Sequence, residues 1–234
     1  MLILGLDTAL QHCSVALVRD GEVLAAVSEG MARGHAERLA PMVGEVFRAA
    51  GVSMRALDRL GVVVGPGGFT GVRVGLAFAR GAGVASGIDV VGVTSLEALA
   101  AGVDVKTVHT DEVIAPIVDA RRGEVYGGVY RQDGASVLAP FVATPDIARD
   151  EIAAAVGAAP VLLTGSGAGL LAPISSGARI YRDHAGAELH HIDPVSIASL
   201  AAASSETGRP APLYLRAPDA KPPKPSPLKA PDGS

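Results

Sequence analysis

The 234-residue sequence has one cysteine, Cys13, and no tryptophan, and aromatic residues make up only 3% of it. A lone cysteine excludes an intrachain disulfide, which fits a reducing, cytoplasmic setting, and its place in a strand-like apolar run reads as a small buried hydrophobe. With so few rings, Ala, Val, Leu and Gly must fill the core, which suits close helix-on-sheet packing. The formal net charge of −4 gives no overall field that would attract nucleic acid. No basic, apolar leader opens the chain, so a signal peptide is not expected. Residues 152–178 carry no charged side chain, but Pro160, Pro173 and five glycines interrupt them, so a membrane span is not expected. Glycine clusters are present, yet none is followed by Gly-Lys-Ser/Thr, none has Rossmann spacing, and Gly165-Ser166-Gly167 is not a nucleophile elbow.

What is present is 49% hydrophobic residues in a well-patterned order. Short apolar runs at 2–6, 14–18 and 22–27, with Asp20-Gly21 between the last two, predict an antiparallel meander of three strands. Helical spacing over 34–50 places Leu39, Met42, Val43, Val46 and Phe47 on one stripe, with Pro41 either starting or kinking that helix. Its second edge, Ala40 and Gly44, is smooth enough for another helix to approach.

A strand ending at Val64 then stops at Gly65-Pro66-Gly67-Gly68, and Thr70 precedes a segment with helical spacing at Val72, Leu76 and Ala79. Strand, glycine turn and a helix capped by Thr70 form either a phosphate cradle or a connection whose glycines serve packing. A strand at 90–93 and a helix from Ser95 complete a βββαβαβα half.

The plan repeats from 114, with a strand ending at Asp119, a strand at 124–130, Asp133-Gly134, a third strand at 137–142, a helix over 145–156, and a strand running into Gly165-Ser166-Gly167. A short strand at 179–181 and a helix over 194–204 follow. The predicted class is α/β, with duplicated βββαβα lobes that resemble the actin-like ATPase superfamily (ASKHA, ribonuclease H-like). The division reads as a first lobe at 1–103, a second at 104–217 and a disordered tail at 218–234 rich in Pro and Lys.

In that superfamily the turns after each lobe's first strand contact phosphate. Here they are Asp7-Thr8-Ala9-Leu10, which has no glycine, and Asp119-Ala120-Arg121-Arg122-Gly123. Asp7 either holds a magnesium-bound water or caps its own turn. His184, His190, His191 and Asp193 form the one His-rich patch, and its spacing fits neither a zinc finger nor a His-Glu-x-x-His helix. No metal site and no catalytic residue is nominated.

The segments Ile3-Leu4-Gly5-Leu6-Asp7-Thr8-Ala9, Arg33-Gly34-His35 through Met42, Asp119 to Tyr126 and Pro212-Leu213-Tyr214-Leu215-Arg216 resemble the bacterial TsaB (YeaZ) family. So does Gly65-Pro66-Gly67-Gly68-Phe69-Thr70-Gly71-Val72-Arg73, which has Gly68 where the family has Ser. The resemblance implies a non-catalytic partner of the transferase TsaD, required with TsaE for N6-threonylcarbamoyladenosine at tRNA position 37. It implies no intrinsic cofactor, with ATP or ADP placed at a surface shared within the complex, and tRNA reached through that complex. It also implies a partner interface on first-lobe helices, here His35, Leu39, Met42, Val43, Val46 and Phe47, a surface that can pair two copies of an isolated member. The nucleotide-like cleft would comprise Asp7, Thr8, Gly65, Gly67, Gly68, Thr70, Gly71, Arg73, Asp119 and Arg121. The alternatives are a stand-alone actin-like ATPase or small-molecule kinase, and a direct tRNA-binding module resting on Arg121, Arg122 and the Lys-bearing tail.

Overall fold

A computed structural model describes residues 1–171, 177–183, 186–187 and 189–216. The tail expected at 218–234 lies outside the described residues, as does His184. The element order is β1 (Leu2–Asp7), β2 (His12–Arg19), β3 (Glu22–Gly30), α1 (His35–Ala50), β4 (Arg59–Val63), α2 (Phe69–Ser86), β5 (Asp89–Val93) and α3 (Ser95–Ala101). There follow β6 (Val113–Arg121), β7 (Glu124–Tyr130), β8 (Ser136–Ala143), α4 (Pro145–Val156), β9 (Val161–Thr164), α5 (Ala168–Leu171), β10 (Arg179–Ile180) and α6 (Pro194–Ala203).

The duplication is visible in the sheets. The first runs β3-β2-β1-β4-β5 and the second β8-β7-β6-β9-β10. In each, the first strand pairs antiparallel with the second and parallel with the fourth. This is the duplicated actin-like arrangement of two α/β lobes.

Helix α1 runs unbroken through Pro41, and its stripe packs on β2 and β3. Leu39, Met42, Val43, Val46 and Phe47 are 1%, 0%, 4%, 2% and 7% exposed. Burial of each such side chain stabilises the lobe by about 1.5–3 kcal/mol, so these residues are core. Their assignment to a partner interface is therefore corrected. The same periodicity marks a core-facing stripe and a partner-facing one, and here the sheet occupies it. Arg38 fastens the helix to the edge strand through paired bonds to Glu29 and is braced by paired bonds to Glu45 on its own helix.

The last helix of each half crosses over. Helix α3 packs on β6 and β7 of the second sheet, whereas α6 lies across β1, β2 and β4 of the first. Strand alternation makes this possible. Leu6 and Val62 face α2, where they approach Gly75, while Gly5 and Gly61 face α6. A Cβ on Gly5 would lie 2.3 Å from the Pro194 carbonyl oxygen, and one on Gly61 would lie 2.8 Å from Ala201 Cβ. Arg59 donates to the carbonyls of Ala201 and Ser204, both at 2.8 Å, and so closes the C-terminal end of α6. The larger hydrophobic core is consequently continuous from the first lobe to Ile114, Val118, Tyr130 and Leu162 of the second. A smaller core sits under α4.

The two kinds of glycine should separate in a denaturation experiment. Gly5→Ala forces backbone atoms apart and should cost about 1–3 kcal/mol. Gly81→Ala, on an exposed helical site with open space around it, should gain about 0.5–1 kcal/mol. Urea midpoints of the two variants against the parent measure both.

Candidate interlobe cleft

A cleft of about 1430 Å³ opens between the lobes, lined on one side by Thr8 to His12, Arg33 to Glu37 and the signature turn, and on the other by Val118 to Arg121, Tyr126 and Ser166. Of the sequence-nominated residues, Thr8, Gly67, Gly68, Thr70, Gly71, Asp119, Arg121 and His35 border it. Asp7, Gly65 and Arg73 are not part of its lining.

The lobe-one floor is shut by its own backbone. The N-cap of α2 is Gly68, not Thr70, and no side chain caps this helix. Thr70 is an exposed first-turn residue. The helix begins earlier than the hydroxyl suggested because Gly68 is held from both sides. Its N–H donates to the Ala9 carbonyl at 2.8 Å, and its carbonyl accepts from Val72 N at 3.0 Å. Thr8 Oγ1 donates to the Gly71 carbonyl at 2.7 Å. A Cβ on Gly71 would sit 1.9 Å from the Thr8 carbonyl oxygen, and one on Gly67 would sit 2.5 Å from that of Ala9. The signature glycines thus let the start of α2 rest directly on the β1–β2 turn.

Asp7 is fully buried. Its Oδ1 accepts from Ala9 N at 2.7 Å, and Oδ2 has no hydrogen-bond partner. Burial pushes this carboxyl up to about 7, against which the turn's backbone N–H groups pull down. The second lobe repeats the arrangement in a wetter form. Asp119 Oδ1 accepts from Arg121 N at 2.7 Å, and Oδ2 pairs with the Arg121 guanidinium at 3.2 Å. Gly167 N donates to the Ile117 carbonyl at 2.9 Å, and Asp119 N donates to Ser166 Oγ at 3.2 Å. In both turns the carboxylate is bonded within its own turn, and Gly68 N and Asp119 N donate within their own lobes, so these groups do not face the cleft as free donors.

Of the His-rich patch, His191 stacks on His12 with ring centroids 4.6 Å apart, His190 borders the cleft, and Asp193 caps α6 by accepting from Val195 N at 2.9 Å. Among the described residues no group of three or more His, Cys, Asp or Glu side chains is arranged to hold a metal ion, and no helix is long and apolar enough to cross a membrane.

The sequence nominated Arg73 for the cleft but gave no role to the aromatic pair that holds it at the rim. Phe69 and Tyr214 stack at 5.3 Å, the Arg73 guanidinium lies 3.6 Å over Phe69, and Arg73 Nε donates to Tyr214 Oη at 3.0 Å. Phe69 and Tyr214 are 51% and 43% exposed in a chain with only eight Phe and Tyr residues. That scarcity was the available signal.

A family model described as TsaD: tRNA N6-adenosine threonylcarbamoyltransferase matches residues 25–159. The solved YeaZ from Pseudomonas aeruginosa superposes with a TM-score of 0.74 at 33% identity, covering 92% of this chain and 99% of that one. The chain belongs to the TsaB/YeaZ family. The tRNA threonylcarbamoyladenosine biosynthesis protein TsaB of Escherichia coli (strain K12) is 40% identical over 133 residues, which are 57% of this chain and 56% of that protein. The chain thus spans little more than half the length of that TsaB relative. The activator of the 2-hydroxyisocaproyl-CoA dehydratase from Clostridium difficile, solved with ADPNP, shares the fold with a TM-score of 0.50 at 11% identity, covering 86% of this chain and 93% of that one. The match to the TsaB/YeaZ family thus joins an actin-like fold to two Asp turns whose carboxylates are bonded within their own turns.

The buried carboxyl gives the TsaB-like turn a pH signature. Its folded pKa lies above the ordinary 3.8, so the native state holds a proton that the unfolded chain releases. Stability from Asp7 is full below about pH 4 and is lost as pH rises through about 7. Asp7→Asn keeps the acceptor for Ala9 N and removes this loss. Its stability relative to the parent should rise between about pH 4 and 7 by up to roughly 4 kcal/mol, read from urea unfolding at stepped pH.

Proposed function

We propose that this chain is a non-catalytic partner of TsaD in the formation of N6-threonylcarbamoyladenosine at tRNA position 37, working with TsaE and reaching tRNA through the complex. The observation that carries this reading is a TsaD-type domain in which the Asp7 and Asp119 carboxylates are bonded within their own turns, while Gly68 N and the Thr8 hydroxyl donate inside the first lobe. A relative of a transferase with these groups committed to internal packing acts through the subunit it binds. The tRNA threonylcarbamoyladenosine names carried by its relatives support the same pathway.

The surface proposed for TsaD is the outer face of α1 and α2, the same first-lobe helices but not the same side chains. Ala36, Ala40 and Gly44 form an exposed edge at fourfold spacing on α1, and Ala77, Gly81 and Ala85 form another on α2. The helices pack against each other. Gly44 and Gly81 have open space above them, so a partner helix can approach the backbone closely. The 77% exposed Val84 adds apolar area beside them. In the free chain the same face would pair two copies.

Co-expression with tagged TsaD tests this, followed by a tRNA modification assay with TsaE, with and without this chain. Ala40→Glu and Gly44→Glu should leave a folded monomer, weaken TsaD retention by about a hundredfold or more, and abolish modification. Val46→Glu buries a charge and should unfold the lobe. Retention of TsaD by both exposed-face variants at parental strength would refute the surface. Modification at an equal rate without the chain would refute the role.

A further inference from the structure

After α6, residues 204–216 return along the first lobe and then cross to the second. Gly208 N donates to the Val90 carbonyl at 3.2 Å, and Leu213 N donates to that of Val64 at 2.8 Å. Arg80 grips the Pro210 carbonyl with Nε at 3.1 Å and a terminal nitrogen at 2.6 Å. Gly92 gives Pro210 room to sit on β5, since a Cβ there would meet it at 2.8 Å. Tyr214 is held by Phe69 and Arg73 at the signature helix. The segment is therefore fixed to the first lobe at several independent points, by backbone and side chain together.

Among the described residues, its hold on the second lobe is concentrated in Arg216. That guanidinium donates to the Ala120 carbonyl at 3.1 Å and the Arg121 carbonyl at 3.4 Å, pairs with Glu124, and lies 5.9 Å from the Tyr126 ring centre. All four partners belong to the β6–β7 hairpin, whose tip takes left-handed conformations at Arg121 and Arg122. The exchanged helices α3 and α6, which join the lobes through their cores, contribute no residue to the cleft lining. Leu213 to Arg216 do line it. The molecule thus has a packed hinge away from the cleft and a strap beside it.

We propose that residues 213–216 form a latch, with Arg216 as its catch on the β6–β7 hairpin, and that releasing this catch lets the lobes turn about α3 and α6 and open the cleft. A multipoint anchor on one lobe and a single-residue catch on the other is the arrangement in which a small local change produces a large angular one. Charge-assisted bonds of this kind are individually strong enough to bias such an equilibrium by about tenfold or more. The latch is a property of the free chain, so it stands or falls separately from the TsaD assignment.

Spin labels on Ala56→Cys between α1 and β4 and on Ala153→Cys in α4 report the interlobe distance in the full chain, because both sites are exposed and native Cys13 is buried. The latched parent should give a narrow distance distribution. Arg216→Ala should broaden it, and should speed amide exchange at Gly67 to Gly71 by about tenfold or more at unchanged thermal midpoint. Glu124→Gln preserves side-chain size and should move both readouts the same way by a smaller factor. It also decides the question if Arg216→Ala fails to fold. Unchanged distance distributions and unchanged exchange in the folded variants would overturn the latch.

Discussion

The seating of the start of α2 on the β1–β2 turn is the contact on which the first lobe depends. Thr8, Ala9, Gly67, Gly68 and Gly71 meet there at backbone distance, with no room for even a methyl group on Gly71. The contact ties the ends of β1 and β4 to one helix and uses Gly68 N and the Thr8 hydroxyl as internal donors. It also buries Asp7 completely. In an open phosphate site the same elements would point their donors at a ligand. Here that seating takes Gly68 N and the Thr8 hydroxyl for internal bonds.

That geometry supports a division of labour. The lobes retain an actin-like architecture and a wide cleft, while the Asp7 and Asp119 carboxylates are each bonded within their own turn. What remains outward is a smooth helical face on α1 and α2, a rim cluster of Phe69, Arg73 and Tyr214, and the strap that carries Arg216. Surfaces of this kind recognise and position partners.

Much of the local structure was legible. Alternation and Asp-Gly pairs placed the hairpins, and Pro145 at a helix start placed α4, because these signals depend on backbone preferences of a few residues. The Thr70 cap was misread for a reason of the same scale. A hydroxyl before an apolar run is a good cap signal, but Gly68 was already fixed by Ala9, a residue 59 positions away. The stripe from Leu39 to Phe47 shows the complementary limit. Periodicity identifies a face that must be covered and carries no information on whether a sheet or another protein covers it.

By itself, then, the sequence determined the element order, the twofold repeat and the TsaB-like signature, since each is written in short-range spacing. Tertiary structure alone decided that α3 and α6 change lobes, that Gly5 and Gly61 are vacancies for α6, that Asp7 is shut away from the cleft, and that Tyr214 and Arg216 close a strap across it. These depend on which surfaces meet when separate elements of the chain are brought together. No local preference of the chain encodes that meeting. It is selected by whichever packing buries the most apolar surface while leaving every backbone donor a partner.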